Sequence, residues 1–171
     1  MEEKNYKEKL KDITTFIFDV DGVFTNTQVF VNNDGDLLRS MNMKDGFALK
    51  TAVAKGYTIC IITGGGNVGV QKRFENLGMT DIFMLRHEKL ETFLEYQKSK
   101  GLKTEQILYM GDDIPDIPPM KHSGLATCPQ DAVPEVKAVA HYISHRDGGQ
   151  GAVRDVIEQV LKVRGDWFDF N

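Results

Sequence analysis

An apolar run ends in two carboxylates and a glycine in Phe16-Ile17-Phe18-Asp19-Val20-Asp21-Gly22. The β-prone residues before Asp19 read as a strand buried on both faces, the kind found in parallel sheets covered by helices. Carboxylates at the end of such a strand emerge at the carboxyl edge of the sheet, where open α/β folds bind ligands. Side chains alternate along a strand, so Asp19 and Asp21 are expected on the same side, with Val20 turned away. Gly22 then lets the chain turn tightly above them. Two carboxylates held close repel, and a hard cation is the simplest remedy: Mg2+ takes oxygens from one or two carboxylates and keeps positions for phosphate oxygens. A lone Asp-x-Asp-Gly is more commonly a turn. Three further groups along the chain favour chemistry.

The first is Thr63-Gly64, at the end of an apolar, β-branched run over residues 57–62 and before a helix reaching Leu77. A glycine loop between strand and helix can hold an anion on backbone amides. The second is Lys89, just inside an amphipathic helix over 88–98 with positions 90, 93, 94 and 97 on its buried face. The third is Asp112-Asp113 with Asp116, after a strand over 106–110. Alone, Thr63 reads as a helix N-cap and Lys89 as a solvated helix residue. Their places at successive strand ends reverse that reading.

The elements that must position these groups alternate. A helix over 44–54 ends at Gly56, and a weaker strand covers 81–85. A short helix starts at 117, short strands cover 124–128 and 138–143, and residues 152–163 form a closing helix. Alternation of this kind predicts a doubly wound, Rossmann-like parallel sheet with helices on both faces. Between Asp21 and the first of these helices, residues 27–32 and 37–42 flank an Asp34-Gly35 turn and predict a protruding β-hairpin at the rim of the site. An isolated hairpin is marginal in water, so its apolar side chains point to self-association.

The 171 residues, 41% hydrophobic and 27% charged, suit one domain over 13–163, preceded by a charged arm over 1–12 and followed by a tail over 164–171. A net charge of −4 with no basic stripe argues against nucleic acid. No apolar stretch approaches 18 residues and the charged start lacks an apolar signal core, so no membrane association and a cytoplasmic location are expected. Cys60 and Cys128 read as buried thiols, and the four histidines as structural or solvent-facing. The tail aromatics Trp167, Phe168 and Phe170 are either a frayed end or packed on a neighbour, and exposed aromatics favour packing. The loop 147–151 is either a flexible entry to the last helix or a segment that closes over substrate.

Asp19-x-Asp21-Gly22-Val23-x-Thr25, with Thr63, Lys89 and Gly111-Asp112-Asp113-x-x-Asp116, resembles the haloacid dehalogenase superfamily of phosphotransferases from residue 13 to 163. The resemblance implies that Asp19 is the nucleophile, forming an aspartyl phosphate, and that Asp21 is the general acid and base. One carboxylate must be ionised to attack while the other carries a proton to the leaving alkoxide. It also implies Mg2+ on the Asp19 carboxylate, the Asp21 carbonyl and Asp112, with Asp113 and Asp116 in support. Thr63 and Gly64 would then contact a phosphoryl group whose charge Lys89 neutralises. With Asp21 protonated, Asp19, Asp112 and a phosphate dianion sum to about −4 against about +3 from Mg2+ and Lys89. A further cation is expected from Arg39, Arg86 or Arg154 as a substrate contact.

Only the hairpin lies between Asp21 and the next helix, and nothing sizeable lies between Thr63 and Lys89, so no cap domain fits. Within the superfamily this resembles the capless 3-deoxy-D-manno-octulosonate 8-phosphate (Kdo 8-phosphate) phosphatases, through the hairpin, residues 111–116 and residues 148–155. That implies a Mg2+-dependent sugar-acid phosphatase in lipopolysaccharide biosynthesis. It also implies a homotetramer in which a neighbour's hairpin and C-terminal segment border each site. Gly65 and Gln150 stand where that family often has arginine, so contacts made by those arginines do not carry over. Relatives acting on a nine-carbon, sialic-type acid 9-phosphate tend to have glutamate after Thr-Gly, so Gly65 favours the eight-carbon substrate over that alternative. A catalytically idle assembly subunit is the third reading.

Overall fold

The computed structural model of the chain describes residues 5–168. The start of the charged arm and the tail aromatic Phe170 lie outside the described residues. Helix α1 (Tyr6–Lys9) and a 3-10 turn over Leu10–Asp12 lead into β1 (Thr15–Phe18). Next come β2 (Phe30–Val31), β3 (Leu37–Leu38), α2 (Met43–Ala54), β4 (Thr58–Ile62), α3 (Val68–Asn76), β5 (Asp81–Phe83) and α4 (Lys89–Lys100). The chain continues through β6 (Ile107–Met110), α5 (Ile117–His122), β7 (Leu125–Cys128), α6 (Pro134–Lys137), β8 (Tyr142–Ile143) and α7 (Ala152–Val163).

Six of these strands make one sheet in the order β5-β4-β1-β6-β7-β8, with every neighbouring pair parallel. The expected doubly wound architecture is therefore the observed one. Alternation along the strands divides the core. Phe16, Phe18, Ile59 and Ile61 face α2, α3 and α7, through Leu49, Phe74 and Ile157 among others. Ile17, Cys60, Ile62 and Tyr109 face α4, α5 and α6, through Phe93, Met120 and Val136. Both cysteines are free and buried.

From β1 the chain moves outward to β4 and β5, then returns to β6 on the other side of β1. The carboxyl ends of β1 and β6 thus flank the point where winding reverses, the ligand crevice of this architecture. The segments after them carry Asp19 and Asp112.

Several elements differ from expectation. On α4 the buried residues are Lys89, Thr92, Phe93 and Tyr96, whereas Leu94 is exposed. The helix is rotated so that Tyr96 can donate to Asp81 at 2.7 Å and Lys89 can enter the site. The expected strand over 138–143 is reduced to Tyr142–Ile143, because Pro134 at the first position of a helix starts α6 and the turn after it uses residues 138–140. β5 stops at Phe83, and Leu85 takes a left-handed φ of 57°. The hairpin ladder has only two residue pairs, Phe30 with Leu38 and Val31 with Leu37. Its turn closes on Asn32, whose side chain accepts from the amides of Asp34 and Asp36. Beyond it Phe30 is 70% exposed and Val31 65%.

Candidate active site

β1 ends at Phe18, but the amide of Asp19 still donates to the Met110 carbonyl at 3.0 Å, so Asp19 is placed by the sheet. The carbonyl of Val20 then accepts from the amides of Val23, Phe24 and Thr25, which coils the following residues into a tight turn. Gly22 sits in that turn at φ +81°. Its missing Cβ leaves the space that the Asp112 carboxylate fills, and an L residue would be both strained and blocked there. The loop over residues 147–151 braces this turn from behind: Gly149 donates to the Val23 carbonyl at 2.9 Å, and Gly148 to Asp131 at 2.8 Å.

Asp19, buried to 6% exposure, has an oxygen 3.0 Å from Lys89 Nζ. Lys89 is the first residue of α4 and is itself buried. A cation at a helix N-terminus is unfavourable toward the helix dipole, and two carboxylates offset that. The second is Asp116, 2.7 Å from Nζ. Asp116 closes the 3-10 turn Ile114–Asp116 and is fully buried. It also accepts from the Tyr109 hydroxyl at 2.8 Å and the Asp112 amide at 3.2 Å.

Single carboxylate oxygens of Asp19, Asp112 and Asp116 all lie within 4.8 Å of one another. Burial, then the charge of Asp116, pushes the Asp19 carboxyl up to about 7, although Lys89 pulls it down. Burial, then Asp19 and Asp116, pushes Asp112 up to about 8. Burial would depress Lys89, yet Asp19 and Asp116 hold it above its ordinary value. Three buried carboxylates against this lysine leave an excess of negative charge that a divalent ion of oxygen preference would neutralise. The donor set fits Mg2+.

Asp21 lines the same cavity as Asp19, but its carboxyl turns elsewhere. Nε and Nη2 of Arg39 lie 2.6 and 2.9 Å from its two oxygens. Strand alternation does not govern the pair, because the chain leaves the extended form after Phe18. Any share of Asp21 in a metal site rests on its backbone carbonyl, and the third carboxylate of the buried cluster is Asp116.

Thr63 is buried at the end of β4. Its hydroxyl accepts from the Gly65 amide at 3.1 Å, and a hydroxyl can also donate to a ligand oxygen. The N-cap of α3 is Asn67, so Thr63 is not a helix cap. The amides of Leu85 and Arg86 donate to the carbonyls of Gly65 and Thr63 at 3.2 and 2.9 Å. The left-handed Leu85 turns the chain so that Arg86 and His87 reach the cavity.

These groups surround an open cavity of about 450 Å3, which Asp19, Asp21, Thr63, Lys89, Arg86 and Asp112 all line, as does Gly64. Arg154 does not join it within the chain. It lies on the α2–α7 face, 3.1 Å from Glu158 and over the rings of Phe47 and Trp167 at 5.8 and 5.5 Å. The tail rings of Trp167 and Phe168 likewise pack on Phe47. Two residues beyond those expected from the sequence also belong to the site: His87 lines the cavity and Tyr109 is a buried donor to Asp116. The closeness of His87 to Lys89 in the chain is the signal for the first. Only the register of β6 reveals the second.

Residues 78–157 match the family model of haloacid dehalogenase-like hydrolases. The chain is 32% identical over 157 residues to the 3-deoxy-D-manno-octulosonate 8-phosphate phosphatase KdsC of Salmonella typhi, covering 92% of this chain and 84% of the relative. The crystal structure of the phosphatase of that name from Yersinia pestis superimposes with a TM-score of 0.92 at 30% identity, covering 95% of this chain and 88% of that one. The enzyme from Moraxella catarrhalis, solved in complex with a magnesium ion, a phosphate ion and KDO, superimposes with a TM-score of 0.91 at 30% identity, covering 94% and 92%.

Proposed function

This chain belongs to the haloacid dehalogenase-like hydrolases, within the capless Kdo 8-phosphate phosphatases, and from that membership we propose that it hydrolyses Kdo 8-phosphate to the free sugar acid and phosphate. It is a phosphoric monoester hydrolase, and its cofactor is Mg2+. The observation that carries the reading is the buried contact of Asp19 with Lys89 at 3.0 Å, with Asp112 beside it, at the floor of an open cavity.

In this reading the Asp19 oxygen attacks phosphorus, and the bond from phosphorus to the sugar oxygen breaks. The leaving alkoxide takes a proton from Asp21, and an aspartyl phosphate remains. Asp21 then removes a proton from water, which attacks phosphorus and releases Asp19. Lys89 holds Asp19 in place and balances its charge, and Thr63 and the Gly64 loop hold the phosphoryl oxygens. Arg86, at the mouth of the cavity, meets the anionic substrate. The carboxylates of Asp19 and Asp112 and the Asp21 carbonyl would hold Mg2+, which supplies charge neutralisation and Lewis acidity when bound. Tyr109 and Asp116 keep Lys89 and the Asp112 amide in register.

Without a cap, the exposed hairpin apolar residues Phe30, Val31 and Leu38 are the surface through which subunits assemble as a homotetramer and border one another's sites. No helix among the described residues is long and apolar enough to cross a membrane, and the reading places the enzyme in the cytoplasm. Purified protein with Mg2+ and a panel of sugar-acid phosphates tests the substrate. Release of phosphate from Kdo 8-phosphate, lost in Asp19→Asn with the fold retained, is expected. A higher kcat/KM for a nine-carbon 2-keto-3-deoxy acid 9-phosphate would overturn the substrate, and turnover persisting in Asp19→Asn would overturn the nucleophile.

A further inference from the structure

We propose that Arg39 of the hairpin is a positioning residue for Asp21 and not a phosphate contact; this rests on the phosphatase reading above. Each of its three nitrogens already donates within the protein. Nε and Nη2 fork the two oxygens of Asp21 at 2.6 and 2.9 Å, and Nη1 donates to the Leu37 carbonyl at 2.9 Å. The Arg39 side chain is only 10% exposed, so the guanidinium is a largely desolvated, planar clamp of the kind that fixes a carboxylate in both distance and plane.

The clamp is anchored at its other end. The Leu37 carbonyl also accepts from Asn67 Nδ2 at 3.1 Å, and Asn67 caps α3 through its Oδ1 on the Val70 amide at 3.0 Å. The hairpin is therefore fastened to a helix of the main domain at the point where Arg39 turns inward. Gly65 lies beside the pair: a Cβ there would be in ordinary contact with Asp21 Oδ2 at 3.6 Å and Arg39 Nη2 at 3.9 Å. On the far side of Asp21, Thr25 Oγ1 approaches Oδ1 at 3.4 Å. The Asp21 carboxyl is thus held between an element outside the sheet and the turn after β1, in the cavity that Asp19 also lines.

An acid matters when the leaving group is a poor one. A sugar alkoxide needs the proton that Asp21 delivers, whereas an aryl oxide departs without it. Wild type, Arg39→Gln and Arg39→Lys are compared by kcat/KM on Kdo 8-phosphate and on p-nitrophenyl phosphate, with the inhibition constant of inorganic phosphate measured alongside. Wild-type turnover of the sugar ester is the control on which the phosphatase reading stands by itself. Given that turnover, Arg39→Gln is expected to lose about 10- to 100-fold on the sugar ester, the scale of a misplaced catalytic group. The aryl ester and the phosphate inhibition constant should change little. Arg39→Lys restores charge without the fork and should remain impaired on the sugar ester alone. Equal losses on both esters, a weakened phosphate affinity, or an unimpaired sugar ester would each overturn the assignment. So would a crystal structure of Arg39→Gln in which the Asp21 carboxyl keeps its place.

Discussion

Withdrawing the metal should make the stability of this protein fall as pH rises, and the size of the fall follows from the buried carboxylates. Burial raises the Asp19 carboxyl from 3.8 to about 7 and Asp112 from 3.8 to about 8. A carboxyl that binds its proton more tightly when folded stabilises the fold fully below its unfolded value and loses that contribution as pH passes its folded value. The window is therefore about pH 4 to 8. Because the two groups share one neighbourhood, their gains are not added. Asp19 alone, rising through about three pH units at ~1.4 kcal/mol each, gives about 4 kcal/mol as an upper figure. For a chain of this size that corresponds to roughly 8–16 °C in Tm. Excess Mg2+, binding only the folded and ionised site, should restore stability at pH 8 and do little at pH 5. Asp45, pushed up to about 6 by burial and with an oxygen that has no hydrogen-bond partner, contributes a slope of the same sign below pH 6. It does so with or without metal and cancels in the comparison. The assay is a set of thermal melts between pH 5 and 8 in EDTA and in Mg2+. Coincident curves at pH 8, or a Mg2+ effect of equal size at pH 5, would refute the metal-site reasoning.

Lys89→Met leaves Asp19 and Asp116 buried without their shared cation, which should cost about 3–5 kcal/mol in urea unfolding at pH 8 in EDTA and abolish turnover. A milder cost at pH 5, where the Asp19 carboxyl, pushed up to about 7 by burial, can take up a proton, is expected from the same urea unfolding. Gly22→Ala forces an L residue to φ +81° with its Cβ in the Asp112 carboxylate. Calorimetric titration should show weakened Mg2+ binding, along with a loss of about 1–3 kcal/mol of stability from the backbone alone. Phe30→Glu with Leu38→Glu, at positions 70% and 51% exposed, should reduce the assembly mass by light scattering while the melting temperature of the subunit shifts little; an unchanged mass would remove the hairpin from the interface.

Much of this protein could be read along the chain. The run before Asp19 reads as a buried strand, because a short, continuous apolar and β-rich segment suits a strand covered on both faces, and the closing helix expected over 152–163 is α7. The alternation of strand and helix determined the doubly wound sheet. The residue types at successive strand ends determined which groups could meet at its edge. What remained depended on rotation and register, which local pattern does not carry. The α4 face turned to Lys89, Thr92, Phe93 and Tyr96 because the partners of Lys89 and Tyr96 lie on distant segments, Asp19 just after β1, Asp116 in a 3-10 turn and Asp81 on β5. Asp116 joined Asp19 and Asp112 because a 3-10 turn folded it under the end of β6. Arg39 was one cation among three until the hairpin laid it across Asp21, while Arg154, at an equally plausible spacing, was drawn to Glu158, Phe47 and Trp167. Types and spacing along a chain determine which charges are available, but which of them pair depends on distances between segments far apart in sequence, and only the packed sheet and helices set those distances.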